Sequence, residues 1–209
     1  KELQKLIAQS KSIRFEGNGY SDEWVKEAKQ RGLSNLRNTP EALNVLNRKE
    51  VQDLFEKMGV LSKEELGARV EVDLENYILK RQIEYRVLLD MSRSTILPAA
   101  IRFQSGLLTN VEQLTSVLGK DASKFSVAQM DMIKSAGTVI QNLHIAAAKM
   151  EEIHDKAEGA KTALAKARDY AEKVVPCMET VAGYCAELEL MVDDAQWPLP
   201  KFTELLFTR

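Results

Sequence analysis

The spacing of apolar residues divides the chain into two parts. Residues 1–62 contain short apolar runs separated by turn signals such as Gly17-Asn18-Gly19, and this pattern predicts several short helices. From residue 63 onward, apolar residues recur three and four positions apart over long stretches with few breaks. The whole pattern predicts an all-α fold in which a cluster of short helices precedes a few long ones.

The first long run begins at a capping box, in which Ser62 is the N-cap and Glu65 stands three positions later. No strong stop follows until Gly119, so one helix of more than 50 residues is predicted. Pro98 lies inside this run. Because proline removes one ladder hydrogen bond and its ring clashes with the preceding turn, we expect a kink there, with the helix continuing beyond it.

Two further long runs follow a loop expected at residues 120–125, and Ser126 is the predicted N-cap of the first of them. Both runs carry apolar or small residues at alternating spacings of three and four, which is typical of a heptad seam. Only Glu158-Gly159-Ala160 offers a place to turn between them, so we expect an antiparallel pair. The seam positions are Ile133, Ala136, Ile140, Leu143, Ala147, Met150, His154 and Ala157, then Leu164, Ala167, Ala171, Val174, Met178, Val181, Cys185, Leu188 and Val192. A kink is expected at Pro176.

The C-terminal tail has a different composition, rich in aromatic residues, proline and leucine. An extended apolar tail must bury itself on something, so we expect it to pack back. The predicted organisation is short helices at 1–62, an elongated bundle of about three long antiparallel helices at 63–192, and an apolar tail at 193–209. The residues predicted to serve structural docking are Trp24, Trp197, Pro198, Leu199, Pro200, Phe202, Leu206 and Phe207.

Composition and charge narrow the possible partners. The net charge is -2, which disfavours binding to nucleic acid or to an anionic membrane surface. No apolar run approaches the roughly 20 residues of a membrane span. Cys177 and Cys185 are too far apart along one helix to bond to each other, and they are expected as reduced core residues in a cytoplasmic protein. The chain begins at Lys1, as a piece of a longer protein would.

The sequence offers few candidates for catalysis. Glu151 and His154 have the Glu-x-x-His spacing of di-metal helical bundles, but the other histidine, His144, has Gln141 in the glutamate position. We therefore expect His154 to be a core residue, with a metal-binding helical enzyme as a lesser alternative that metal analysis would test. No phosphate-binding loop or nucleophile set is visible, and the mixed charges of the third long helix, such as Lys166, are expected on a solvated face.

Motifs spread over the chain give a more specific indication. They include Gly17-Asn18-Gly19-Tyr20-Ser21-Asp22-Glu23-Trp24-Val25, Thr39-Pro40-Glu41-Ala42-Leu43, Ile96-Leu97-Pro98-Ala99 and Trp197-Pro198-Leu199-Pro200-Lys201. In this order, the motifs resemble the C-terminal region of type III glutamine synthetases. The tail motif is the most specific, whereas residues 110–185 match in helical character only. Tyr85 departs from the resemblance because a smaller residue is expected at its position.

The resemblance implies that this chain is the last part of a longer subunit. The parent would be a glutamate–ammonia ligase, which uses ATP and Mg²⁺ or Mn²⁺ at an active site upstream, so this chain would hold no catalytic, cofactor-binding or metal-binding residue. Residues 1–62 would pack on the upstream catalytic domain of the same subunit. The subunits would form stacked hexameric rings, with the helical bundle organising the oligomer. The alternative is a free-standing helical adaptor or scaffold protein without catalytic activity.

Overall fold

A computed structural model describes residues 1–207 of the chain. Within these residues the protein contains helices and turns but no β-strand, which confirms the predicted all-α class. The chain forms two compact units, Lys1–Asn38 and Thr39–Arg209. Thr208 and Arg209, the last two residues of the predicted tail, lie outside the described residues.

The first unit contains two short helices, α1 at Glu2–Gln9 and α2 at Asp22–Gln30. The hydroxyl of Ser21 accepts a hydrogen bond of 3.2 Å from the backbone N–H of Trp24, which satisfies one of the free donors at the start of α2. Helix α2 ends before Gly32, whose φ of 73° is in the left-handed region that glycine adopts without steric cost. Helix α2 is therefore bounded by local sequence signals at both ends.

The second unit is built from nine further helices within the described residues. Their bounds are α3 Thr39–Asn44, α4 Lys49–Lys57, α5 Lys63–Asp90, α6 Leu97–Leu118, α7 Ala122–Phe125, α8 Val127–Glu158, α9 Ala163–Asp169, α10 Val175–Met191 and α11 Phe202–Leu205. Helix α8, with 32 residues, extends for about 48 Å at 1.5 Å per residue.

The division into compact units falls at a different place from the predicted boundary after residue 62. Helices α3 and α4 both pack against α5. Pro40 is buried, and Leu43 and Leu46 lie against the hydrophobic core that the long helices form. Residues 39–62 therefore fold together with the long helices, because Pro40 is buried and Leu43 and Leu46 are half-buried there.

The first long helical run begins as predicted. The hydroxyl of Ser62 accepts from the backbone N–H of Glu65 at 3.2 Å, and the Glu65 carboxylate accepts from the Ser62 N–H at 2.8 Å. This capping box opens α5. The run continues through α6 and ends at Gly119, which has a φ of 57°. The prediction that helix continues beyond Pro98 is confirmed.

A π-helical turn precedes each internal proline of the long helices. Residues Met91–Ile96 form one before Pro98, and Tyr170–Val174 form the other before Pro176. Proline has no N–H to donate and its ring crowds the carbonyl four residues earlier. A π-helical turn pairs residues five apart and so replaces the α-helical ladder at these places. The sequence predicts a kink at each proline, but it does not indicate that a π-helical turn precedes the proline.

The connection between α6 and α8 is more helical than predicted. The expected loop at residues 120–125 is a 3₁₀ turn at Gly119–Asp121 followed by the short helix α7. Ala122 is buried at the start of α7, and this anchors the segment. Ser126 directly precedes α8, as predicted, but its hydroxyl makes no capping hydrogen bond to the helix.

Both predicted seams are the faces along which the long helices pack. Helix α8 packs against α6 on one side and against α10 on the other. The short connection after Glu158 makes α8 antiparallel to the α9–α10 run, as predicted. Buried seam residues include Leu143, Ala147, Met150 and His154 on α8, and Ala167, Val174, Val181 and Leu188 on the third run. The core extends onto α5 through Val70, Leu74 and Ile78.

Candidate functional site

The predicted docking residue of the first unit, Trp24, is half-buried in a small aromatic cluster. Its ring lies 4.2 Å from the ring of Phe15, measured between centroids, and the planes are tilted by 33°. The guanidinium carbon of Arg31 stands 5.7 Å from the Trp24 ring centroid, within cation–π range. Trp24 therefore has partners within its own unit.

Helix α1 presents its apolar face to solvent. It contains no buried residue, and Leu3, Leu6 and Ile7 remain 74%, 61% and 53% exposed. These three residues lie at helical spacing and so form one continuous face. A helix stabilised mainly by packing would bury such a face, so this is an available interaction surface.

The tail folds back on the second unit, and a lysine fixes its path. Trp197 is buried in the core and Leu199 packs against the same core, whereas Pro198 and Pro200 are exposed. The Lys201 ammonium donates to the carbonyl oxygen of Val192 at 3.0 Å. It also pairs with Asp194 at 2.5 Å, although its own side chain is only 16% exposed. Lys201 thus binds the carbonyl group of Val192, the residue that follows α10, and closes the turn.

The end of the tail projects its apolar side chains. After Lys201, the N–H of Phe202 donates to the Glu189 carboxylate at 2.8 Å and α11 begins. Phe202, Leu206 and Phe207 are all exposed, with 68%, 79% and 77% of their surface accessible. The seven predicted docking residues of the tail therefore fall into two groups: Trp197 and Leu199 pack within the chain, whereas the two prolines and these three residues are exposed.

A polar cluster joins three helical segments at the connection between α8 and α9. One carboxylate oxygen of Glu158 accepts from the side-chain amide of Gln82 at 2.7 Å and from the hydroxyl of Tyr170. The other accepts from the Lys166 ammonium at 2.7 Å. Lys166 was expected on a solvated face, but its side chain is only 21% exposed because it turns inward to this carboxylate.

The cluster changes the acidity of its members. Burial acts to raise the pKa of Glu158, but the hydrogen bonds from Lys166, Tyr170 and Gln82 outweigh it and lower the pKa to about 2. Burial and the neighbouring carboxylate raise the pKa of the Tyr170 phenol. Glu158 is therefore a fixed anion that holds α5, α8 and α9 together, and it has no spare oxygen suited to proton transfer.

His154 lies beside this cluster, buried on the seam as the sequence predicted. Its ring stacks on Tyr85, and Tyr170 meets it edge-on at a centroid distance of 5.9 Å. Its Nδ1 lies 3.2 Å from the Asp155 carboxylate, and its Nε2 has no hydrogen-bond partner. The environment is aromatic and packed, which is typical of a core histidine.

The structure does not bring Glu151 and His154 together as metal ligands. Glu151 forms a two-point ion pair with the Arg93 guanidinium, at 3.2 and 2.6 Å. Among residues 1–207, no group of three or more histidine, cysteine, aspartate or glutamate side chains is placed to hold a metal ion. His144, the other histidine, is exposed on α8. The residues present do not fit a divalent metal site.

The two cysteines remain free thiols, in agreement with the prediction that they cannot bond to each other. Cys185 is buried on the seam, and burial raises its pKa to about 11. Cys177 is half-buried. Burial is the one cause of the raised pKa of Cys185, and it disfavours the thiolate that a nucleophile requires. In the part of the chain that the structure describes, no helix is both long and apolar enough to cross a membrane.

Comparison with known proteins gives the family. A sequence profile of the glutamine synthetase C-terminal domain matches residues 1–115, more than half of the 209 residues. The chain belongs to the glutamine synthetase C-terminal domain family. This confirms the resemblance that the sequence motifs indicated. The profile match ends at residue 115, close to residue 110, from which the motif match is one of helical character only.

Relatives named glutamine synthetase align with the chain over nearly its whole length. The protein from Bacteroides fragilis is 35% identical over 208 residues, which is 99% of this chain and 28% of the relative. The type-3 glutamine synthetase of Dictyostelium discoideum is 30% identical over 213 residues, covering 100% of this chain and 29% of its own. A glutamine synthetase from Butyrivibrio fibrisolvens is 31% identical, with 29% of its length covered. The chain thus spans less than a third of these relatives.

Sequence reasoning missed the Glu158 cluster. In the sequence, Glu158-Gly159-Ala160 indicates only a turn, and the mixed charges around Lys166 indicate a solvated face. One signal was available: Tyr170 and Gln82 are hydrogen-bonding residues in the middle of otherwise regular helical runs. Their contact with Glu158 depends on how the helices pack. The spacing of apolar residues within each helix carries no information on that packing.

Proposed function

We propose that this chain is the C-terminal part of a type III glutamine synthetase subunit and that it serves assembly, not chemistry. The observation that carries the proposal is the match to relatives named glutamine synthetase over 99–100% of this chain but 28–29% of their own length. The parent enzyme would join glutamate and ammonia using ATP, releasing glutamine, ADP and phosphate.

In this proposal the active site, with its ATP and its Mg²⁺ or Mn²⁺, lies upstream of Lys1. Support comes from the residues themselves: Glu151 is paired with Arg93, Glu158 is held by three donors, and His154 is packed between aromatic rings. The free thiols of Cys177 and Cys185 fit a reducing compartment, which supports a cytoplasmic location.

The contact with the upstream catalytic domain is assigned to the N-terminal segment, residues 1–62. The apolar face of α1, formed by Leu3, Leu6 and Ile7, supports this assignment because it is fully available in the chain as it stands. Residues 39–62 pack on α5, so the surface offered upstream would be provided chiefly by residues 1–38.

The long helices and the end of the tail are assigned to contacts between subunits, in stacked hexameric rings. Phe202, Leu206 and Phe207 support this role, because they and Leu205 form a group of four exposed large apolar side chains in the tail. Clustered exposed apolar residues on a water-soluble surface mark interaction sites.

The mass of the natural subunit tests the first part of the proposal. An antibody raised against this chain should detect, in extract of the source cells, a polypeptide several times larger than 23.5 kDa. A band at 23.5 kDa would contradict the proposal and would support a free-standing helical adaptor or scaffold protein instead.

Deletion of residues 120–192 from the complete subunit tests the assembly role. We expect the variant to lose the particle mass of the oligomer, measured by light scattering, while Mn²⁺ binding measured by calorimetry persists. A double substitution of Leu206 and Phe207 by serine should weaken assembly in the same direction. Val60→Ser, at a site that is 58% exposed between α4 and α5 and outside the long helices and the tail, is the matched control and should change neither readout. Intact rings with abolished metal binding would overturn the role.

A further inference from the structure

Helix α5 carries a second apolar face, which we call the outer stripe, formed by Val72, Leu79, Ile83 and Val87. Each of these residues is 51–55% exposed. At 100° per residue they lie within one narrow sector of the helix, opposite the sector of Val70, Leu74 and Ile78 that faces the core. Helix α5 is therefore apolar on two opposite sides, and only one side is covered within the described chain.

Charge is distributed unevenly along the same helix. Residues 63–76 contain five acidic and two basic side chains, and residues 77–90 contain three basic and two acidic ones. Because the outer stripe spans both halves, any long helix that covers it meets an acidic half followed by a basic half. The partner that matches both halves has the same pattern in the reverse direction.

We propose that the outer stripe of α5 binds the outer stripe of a second copy of this chain, antiparallel and across a two-fold axis. Antiparallel pairing sets each acidic half against a basic half, whereas parallel pairing would set the two acidic halves together. The arrangement is self-complementary, as a two-fold interface requires. It resembles the seam of a two-stranded coiled coil, in which apolar positions meet and flanking charges choose the direction.

The spacing of residues fixes the centre of the contact. With the axis near residue 81, Leu79 faces Ile83 of the second copy, and the same contact is repeated on the other side of the axis. Glu75 and Arg86 lie on one flank of the stripe at nearly equal distances from this centre, so each faces the other residue across the interface.

Glu75 and Arg86 are available for this pairing. Both are exposed, and within residues 1–207 neither takes part in an ion pair. They are 11 residues apart on one helix, about 16 Å along its axis, so they cannot bond to each other within one chain. An effect of one on the other must therefore pass between chains.

The inference rests on the assembly part of the proposed function and deepens it, because it names the surface through which copies meet. It does not depend on the upstream active site. A role in assembly through another surface would leave the variants below without effect, while the deletion of residues 120–192 would still dissociate the oligomer.

A charge-swap experiment tests the pairing. The full chain and the variants Glu75→Arg, Arg86→Glu and the combination of both are compared by sedimentation equilibrium over a dilution series. Each single variant places like charges together twice and is expected to raise the dimer Kd about tenfold or more. The double variant restores opposite charges and should return the Kd to within about threefold of the original.

The apolar contact has its own test. Leu79→Gln should weaken the dimer at least as strongly as one charge reversal, because Leu79 lies near the two-fold axis. Leu108→Gln is the matched control, since Leu108 is 51% exposed on α6 against 54% for Leu79. A chain that is monomeric at every concentration overturns the proposal. The outer stripe would then be covered by another part of the parent polypeptide. An oligomer whose mass and Kd are the same in all of these variants also overturns the proposal.

Discussion

The imidazole ring of His154 lies flat against the phenol ring of Tyr85, with ring centroids 3.8 Å apart and planes within 6° of parallel. This contact explains why a large residue stands at position 85, where a smaller one was expected from the resemblance. Tyr85 is 5% exposed and covers a histidine that would otherwise leave a polar ring in an apolar seam. Offset or stacked aromatic pairs add to stability beyond the area they bury.

Replacing Tyr85 tests how much this stack contributes. Tyr85→Ala should lower the free energy of unfolding by about 3–5 kcal/mol, because it removes a buried ring and leaves a cavity over His154. Tyr85→Phe keeps the ring and should cost about 1 kcal/mol or less. Urea unfolding followed by circular dichroism provides the measurement. Equal losses in the two variants would show that the hydroxyl, not the stack, is what matters.

The Glu158 cluster gives stability that depends on pH. In the folded chain the pKa of Glu158 is about 2, against an ordinary value of 4.5, so the unfolded chain takes up the proton first as pH falls. The stabilisation is complete above about pH 4.5 and is lost as pH falls towards 2. Glu158→Gln should lower the free energy of unfolding by about 1–3 kcal/mol at pH 7, since it removes the partner of Lys166. The difference between variant and original should shrink between pH 4.5 and pH 2.

A carboxylate on the same helix is the control for this pH effect. Glu152 pairs with Lys156 one turn away, and both side chains are well exposed. Glu152→Gln should leave the unfolding free energy nearly unchanged, because exposed pairs contribute little. If the two variants showed the same pH profile, the cluster would have no special role.

The starts of α5, α8 and α9 differ in capping, and substitution should reveal the difference. Ser62→Ala should cost about 1 kcal/mol of unfolding free energy because it breaks the capping box of α5. Thr162→Ala should have a similar effect, since the Thr162 hydroxyl accepts from the Ala165 N–H. Ser126→Ala removes no capping bond and should cost less than either. Chemical denaturation of the three variants side by side is the test, and a larger loss at Ser126 would contradict it.

Lys201 should control the position of Trp197. In a Trp24→Phe background, Trp197 is the one remaining tryptophan and reports on the tail alone. Lys201→Met removes the ammonium that binds the Val192 carbonyl, so iodide should quench the Trp197 fluorescence more strongly. Lys124→Met, which removes an exposed pair with Asp121, should leave the quenching unchanged. Unchanged quenching in both variants would mean that the core contact alone holds the tail.

The two thiols should differ in reactivity. Burial and a pKa of about 11 keep Cys185 protonated and inaccessible at pH 8. The variant Cys177→Ser should therefore react slowly with a thiol reagent such as Ellman's, at a rate set by opening of the bundle. The variant Cys185→Ser should react faster, through the half-buried Cys177. Equal rates would show that the seam around Cys185 is open.

Features encoded in neighbouring residues were predictable from the sequence. The capping box at Ser62, the end of α6 at Gly119 and the two seams all follow from local spacing, because each needs only residues a few positions apart. The pairing of α8 with the α9–α10 run followed from the shortness of the connection at Gly159. These predictions required no knowledge of how distant segments pack.

Features that depend on contacts between residues far apart in the sequence were not predictable from local spacing. Gln82 and Glu158 are 76 positions apart, and no periodic pattern relates them. Lys166 lies among mixed charges that favour a solvated face, but the packing of α9 beside α8 places its ammonium against the Glu158 carboxylate. The division of the chain after Asn38 depended on Pro40 and Leu43 being buried by α5, which the amphipathic pattern of a short helix does not specify.

The uneven burial along α6 has a consequence for how the protein opens. Its fully buried residues end at Phe103, and the half that follows is anchored by half-buried side chains such as Leu107 and Leu114 and by a hydrogen bond from Gln129 to Asn110. Amide protons in this half of α6 should exchange with solvent through local fraying. Those around the buried Leu143 and Met150 should exchange only through global unfolding. The free energy of local opening should therefore rise along the helices from the α6–α8 connection towards the Glu158 cluster. Thermal fraying should begin at that connection and should not extend to the cluster.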